Sequence, residues 1–173
     1  AQAMQEGAFG VSSGLIYAPA SFAKTSELVE ICKVAARFGG IYVTHIRNES
    51  YMVVEAMREA LEIGEKAQIP VHISHFKAGG KDNWGKVKET LKMVEDARSR
   101  GIDVTFDQYP YTAGSTMLYA LLPPWAVEGG VDKMLARLKD QETRQRISED
   151  IQKGLPGWEG FAKLVGWENI IVT

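Results

Sequence analysis

Three residues able to bind a metal or move a proton stand at matching places in three successive stretches of the chain. His45 closes Ile41-Tyr42-Val43-Thr44-His45, and His75 closes Ile69-Pro70-Val71-His72-Ile73-Ser74-His75. Asp107 closes Ile102-Asp103-Val104-Thr105-Phe106-Asp107. His75 follows His45 by 30 residues and Asp107 follows His75 by 32, about one strand-helix-strand unit. In a barrel of alternating strands and helices, active-site groups project from the C-terminal ends of the strands. Neutral imidazole is a good zinc ligand, and a catalytic zinc keeps one position open for water. The spacing therefore points to metal-dependent hydrolysis, with His45 and His75 as two ligands from adjacent strands. The competing reading of each is a buried histidine hydrogen-bonded to its neighbours. Asp107 stays open between metal ligand, general base and structural carboxylate.

Other polar residues near these positions divide by parity and context. His72 is three residues before His75, so strand alternation turns it to the opposite face, toward the helices if His75 faces the barrel axis. Cys32 falls in a helical stripe and reads as core. Arg47 either recognises a carboxylate or pairs with Glu49. Lys77 is a substrate contact or an ordinary loop lysine. Tyr109, Tyr111 and Ser115 lie just past Asp107; a tyrosine hydroxyl can donate to a developing oxyanion and a serine hydroxyl can hold a carboxylate. Packing is the alternative for the tyrosines.

The elements that would position these groups follow from periodicity. A first strand is expected at Phe9–Leu15, weak by propensity but suited to a strand end beside a ligand. Thr25 is placed to cap a helix whose Leu28, Ile31, Cys32, Ala35 and Phe38 recur at helical spacing, ended by Gly39-Gly40. A second helix is expected from about Ser50 to Ala67, with Met52, Ala56, Ala60 and Ile63 as its stripe. Asp82 or Asn83 opens a third, with Trp84, Val87, Leu91, Val94 and Ala97 on one face, ended by Gly101. Strands alternating with such helices mean parallel βαβ units. Tyr109 to Gly130 reads as a long active-site loop. Polar helices follow near Val131–Leu138 and Glu142–Gln152, and Asn169–Thr173 reads as a last strand.

A chain of 173 residues can bury a real core. The net charge of −2 gives no broad electrostatic reason to bind nucleic acid or an anionic membrane. No run approaches the ~20 apolar residues of a membrane span. One cysteine cannot form an internal disulfide, which fits the cytoplasm. A complete β/α barrel needs eight units and ~250 residues, so the expectation is a segment from the middle of a longer barrel. Its domain layout is then one segment, 1–173, with a βα core over 7–120 and a helical extension and final strand over 121–173.

At these residues the chain resembles the N-acyl-D-amino-acid deacylases (D-aminoacylases) of the amidohydrolase superfamily. The matching stretches are Gly7-Ala8-Phe9-Gly10-Val11-Ser12-Ser13-Gly14-Leu15-Ile16-Tyr17, Gly39-Gly40-Ile41-Tyr42-Val43-Thr44-His45-Ile46-Arg47, Ile73-Ser74-His75-Phe76-Lys77 and Tyr109-Pro110-Tyr111-Thr112-Ala113-Gly114-Ser115-Thr116. The resemblance implies a zinc enzyme on a distorted β/α barrel. It implies that His45 and His75 are metal ligands, that Tyr17 and Ser115 bind substrate, and that Tyr109 helps polarise the scissile carbonyl. The reaction it implies is hydrolysis of an N-acyl-D-amino acid to a carboxylic acid and a D-amino acid. The family's first-strand His-x-His pair, bridging cysteine and late-strand aspartate have no counterpart in this sequence, and Asp107 belongs to a different strand. The isolated segment is thus expected to be inactive and, with open sheet edges, to form a homo-oligomer. The alternatives are another amidohydrolase, such as a cyclic-amide hydrolase, or a non-catalytic half-barrel used as an interaction surface.

Overall fold

The computed structural model describes all residues, Ala1–Thr173, and divides into two compact units. The first comprises Ala1–Ile16 with Ala20–Pro110, the second Tyr17–Pro19 with Tyr111–Thr173.

The first unit opens with a single helical turn, α1 (Gln2–Gln5), followed by β1 (Gly10–Gly14), α2 (Thr25–Ala36), β2 (Ile41–His45), α3 (Val53–Ala67), β3 (Val71–Ile73), α4 (Val87–Ser99) and β4 (Val104–Phe106). The strands pair in chain order, β1-β2-β3-β4, and every pair is parallel. Sequential parallel pairing with helices between is the winding of a (β/α)8 barrel, here represented by four of its strands. All four strands lie where the hydrophobic runs place them.

Helix α3 shows why the layers stay together. Val53, Ala56, Met57, Ala60, Leu61, Gly64 and Ala67 are buried at helical spacing, and the helix ends on Gln68 in the left-handed region, φ 52, a common way to close a helix. A Cβ on Gly64 would overlap the Val71 side chain, so the missing side chain lets α3 lie directly on β3. Gly10 plays the same part in the sheet: a Cβ there would overlap the backbone oxygen of Ile41 on β2. The core of this unit joins Leu28, Cys32 and Ala35 of α2, Met57 and Ile63 of α3, Val94 and Ala97 of α4, and Tyr42, Val71, Ile73 and Val104 of the strands.

Several details depart from the sequence reading. Thr25 does not cap α2; Lys24 holds that position with no side-chain bond, and Thr25 Oγ1 donates instead to Glu59, 2.8 Å away. The buried stripe of α2 runs through Leu28, Val29, Cys32 and Ala35, leaving Ile31 and Phe38 exposed. In α4 the buried residues are Thr90, Val94 and Ala97, while Trp84 and Leu91 face outward. Thr90 is an unexpected core residue because its hydroxyl is satisfied within its own helix, by the carbonyl of Val87 at 3.2 Å. Residues 81–86 form a 3₁₀ segment ahead of α4.

The second unit is helical: α5 (Pro124–Val127), α6 (Val131–Lys139), α7 (Gln141–Lys153) and α8 (Phe161–Val165). Asp140 caps α7 through the amide of Thr143 at 2.8 Å. Trp125 ties α5 to α7, its indole N–H donating to Asp150 at 2.8 Å with the Arg146 guanidinium 4.3 Å from its ring centre. The run Ile170-Ile171-Val172 forms no strand. No β-ladder partner is paired with it, and Ile171 and Val172 are largely exposed.

Candidate metal centre

His45 is the last residue of β2, and its imidazole meets that of His75 beyond the end of β3. Nδ1 of His45 lies 3.0 Å from Nε2 of His75, with the rings edge to face and centroids 4.5 Å apart. The two histidines expected to share a ligand do converge.

They converge by a route that strand alternation does not supply. β3 ends at Ile73, and His75 has φ 42, the left-handed region that a non-glycine residue rarely adopts. The backbone turn carries the imidazole to the His45 side. Counting parity back from His75 therefore misplaces His72, which was expected to face the helices. Val71 and Ile73 are buried against the helix layer, and His72 is on the other face. There it aligns with Val43 on β2 and Thr105 on β4.

Asp107 holds this turn. Its Oδ1 accepts the His75 backbone N–H at 2.7 Å, its Oδ2 meets His72 Nε2 at 2.8 Å, and its carbonyl accepts from the Phe76 amide at 2.8 Å. The other nitrogen of His72 faces Thr105 Oγ1 at 2.8 Å. The His72 hydrogen bond, then the His75 amide, hold the Asp107 carboxyl below its ordinary range. Asp107 thus contacts the backbone of one histidine rather than joining the two rings.

A carboxylate that sequence reading did not single out lies beside both rings. Glu49 follows β2 in a buried loop shaped by Asn48, whose Oδ1 accepts from the amides of Ser50 at 2.9 Å and Met52 at 3.0 Å. Glu49 Oε1 lies 2.7 Å from His75 Nδ1 and 3.8 Å from His45 Nε2. His45, Glu49 and His75 each bring one possible ligand atom within 4.8 Å of the others. No hydrophobic period marks a loop carboxylate; the one available signal was its position four residues after His45.

Arg47 pairs with Glu59 of α3, not Glu49. Its Nε and Nη2 reach the two Glu59 oxygens at 2.8 and 2.9 Å. Nη1 and Nη2 also donate to the carbonyls of Ser21 at 2.8 Å and Ala23 at 2.9 Å. Lys77 takes the place beside Glu49 instead: Nζ lies 2.6 Å from Glu49 Oε2 and 2.8 Å from the His75 carbonyl, and 5.4 Å from the centre of the Tyr109 ring. That ring lies 6.4 Å from His75, so Tyr109 borders the histidine pair.

Burial depresses the His45 pKa to about 4, with the nearby Glu49 charge opposing that shift. The ring is neutral near pH 7, the form that binds metal. Burial would raise the Glu49 carboxyl, but the His75 hydrogen bond, His45 and Lys77 outweigh it and hold the group low. Two neutral imidazoles suit zinc as ligands, and the ionised carboxylate beside them can serve either as a further donor or as the hydrogen-bond partner of a ligating imidazole.

Tyr17 and Ser115, the expected substrate contacts, belong to the second unit. Tyr17 OH is 2.8 Å from Thr116 Oγ1 and its ring meets Tyr119 edge to face at 6.4 Å. Ser115 is exposed. No helix is long and apolar enough to cross a membrane.

No family model matches the chain. Among curated proteins, a D-aminoacylase of Alcaligenes xylosoxydans xylosoxydans is 47% identical over 117 residues, covering 68% of this chain and 24% of the relative. An N-acyl-D-aspartate deacylase of the same organism is 46% identical over 118 residues, with the same coverage. The chain therefore spans about a quarter of the length of these relatives. A crystal structure of D-aminoacylase, described as defining a novel subset of amidohydrolases, superposes with TM-score 0.64 at 46% identity, over 67% of this chain and 24% of that one. N-acyl-D-glutamate deacylase from Bordetella bronchiseptica, solved with zinc and a phosphonate inhibitor, gives TM-score 0.62 at 38% identity over 64% and 23% of the two chains. Over the matched residues, in sequence and in fold, this chain is a homologue of the D-aminoacylase type of amidohydrolase.

Proposed function

We propose that this chain contributes part of the metal site of a zinc-dependent hydrolase acting on the amide bond of N-acyl-D-amino acids. The observation that carries the reading is the convergence of His45 Nδ1 and His75 Nε2 at 3.0 Å, achieved from two adjacent strands through a left-handed backbone at His75. The zinc-bound relative from Bordetella bronchiseptica and the 46–47% identity to D-amino-acid deacylases support the metal and the substrate class. Zinc held there supplies Lewis acidity toward an amide carbonyl and an activated water.

The chain's own residues then have distinct tasks. His45 and His75 hold the metal as neutral imidazoles. Tyr109, whose ring lies 6.4 Å from that of His75, is proposed to donate its hydroxyl to the carbonyl oxygen as charge develops there. Tyr17 and Ser115 are proposed to bind the substrate, the Ser115 hydroxyl donating to the substrate's carboxylate. Two histidines fall short of the three protein ligands usual for catalytic zinc, so the isolated chain is expected to lack turnover. Strands β1 and β4 are the edges of the sheet, and self-association through them is proposed. One buried cysteine fits a cytoplasmic location.

A chimera tests the reading. The matched residues replace the corresponding segment of the Alcaligenes D-aminoacylase, and hydrolysis of N-acetyl-D- and N-acetyl-L-amino acids is followed. Chelator-sensitive hydrolysis of the D substrates supports the proposal. A folded chimera that hydrolyses neither, or that works unchanged without metal, overturns it.

A further inference from the structure

We propose that Glu49 is a positioning residue for the metal site: its Oε1 accepts the Nδ1 proton of His75 and so leaves His75 Nε2 as the lone-pair nitrogen turned toward His45 Nδ1. This deepens the metal reading above and rests on it for its functional meaning. The geometry is specific. Glu49 lies on the Nδ1 edge of His75 at 2.7 Å, while the opposite nitrogen of the same ring meets His45 at 3.0 Å. One imidazole edge is thus occupied by a carboxylate and the other is directed at the second histidine. A histidine that binds metal through one nitrogen commonly donates from the other to a carboxylate, which fixes both tautomer and ring angle.

Lys77 competes for the same nitrogen, since Nζ lies 2.8 Å from His75 Nδ1. An ammonium only donates and a carboxylate only accepts, so Nδ1 can satisfy one of them. If Nδ1 carried a lone pair, the Glu49 carboxylate would face it with no proton between them. If Nδ1 carries the proton, Lys77 still has acceptors in Glu49 Oε2 at 2.6 Å and the His75 carbonyl at 2.8 Å. The protonated Nδ1 leaves no pair of like groups opposed, and Lys77 then braces the carboxylate. Glu49 is well placed for this because it is buried and its own backbone is tied down, its carbonyl accepting from the Gly79 amide at 2.6 Å.

Imidazole ¹⁵N–¹H correlation spectra of the intact chain read the tautomer without any metal. The wild type should show His75 as Nδ1–H; Glu49→Gln, which keeps an accepting oxygen, should retain it; Glu49→Leu should shift the population toward Nε2–H. His75 as Nε2–H in the wild type, or an unchanged tautomer in a folded Glu49→Leu, overturns the assignment, and Glu49→Gln still decides if the leucine variant does not fold. Zinc affinity, measured by competition with a chromophoric chelator, should fall about 10–100-fold in Glu49→Leu and less in Glu49→Gln. Equal affinity in all three overturns the positioning role. A wild type that takes up no zinc overturns the metal reading, and the tautomer spectra then decide the role of Glu49 by themselves.

Discussion

Replacing Arg47 should show how the loop behind the histidines is held. Its guanidinium spans Glu59 on α3 and the carbonyls of Ser21 and Ala23 in the segment after β1. The two side chains are 28% and 12% exposed, so the pair is mostly out of solvent, and the Glu59 hydrogen bond raises the Arg47 pKa further. An exposed pair would contribute about 0–1 kcal/mol. Removing one partner of a buried pair costs about 3–5 kcal/mol, because the other charge is left without compensation. Arg47→Ala leaves the Glu59 carboxylate with Thr25 as its one other hydrogen-bond partner in this network. Partial exposure puts the expected loss at about 3 kcal/mol, the low end of the buried range. Equilibrium urea unfolding of the wild type, Arg47→Ala, Glu59→Gln and the double variant measures it. The double variant should be less destabilised than the sum of the singles, since it removes the stranded charge. Single losses below about 1 kcal/mol that add without coupling would show a solvent-screened pair and refute the argument that this bridge anchors the segment between His45 and Glu49.

Burial raises the Cys32 pKa to about 11 from an ordinary 9.0. The folded chain should therefore resist iodoacetamide at pH 8 and react only on unfolding, and its stability should fall as pH rises from about 9 to 11, where the unfolded thiol ionises first; rapid labelling of the native state at pH 8 would contradict this. Asp107→Ala removes the carboxylate that fixes the left-handed backbone of His75, so zinc affinity should drop while global stability changes by less than about 1 kcal/mol, as for an exposed group; chelator competition beside a urea titration checks both. Gly64→Ala would force a methyl group into Val71 and should cost about 1–3 kcal/mol, read by thermal unfolding. Light scattering on dilute protein tests self-association through β1 and β4, with a stable monomer as the contrary result.

The βα period was legible because each strand is a short apolar run and each helix a longer amphipathic one, and those lengths separate the two. The meeting of His45 and His75 was legible because residue type and strand-end position coincide. The facing of His72 was not, since one positive φ at His75 breaks the alternation on which parity depends. Glu49 and the true partner of Arg47 were hidden for a related reason: both depend on which loop atoms the fold brings close, and loop residues carry no period. The outer faces of α2 and α4 were misjudged by part of a turn because hydrophobicity alone ranks Ile31 or Leu91 above Thr90. A hydroxyl that bonds within its own helix can be buried at little cost, and a composition rule does not register that.

The central claim is that His45 and His75 together hold a catalytic metal. In the chimera, zinc content by plasma emission spectrometry and turnover of an N-acyl-D-amino acid should be measured on the same preparations of the unsubstituted protein, His45→Ala and His75→Ala, with folding confirmed by circular dichroism. Metal content and activity should fall together in both variants. Full zinc occupancy with normal turnover in both folded variants would contradict the account.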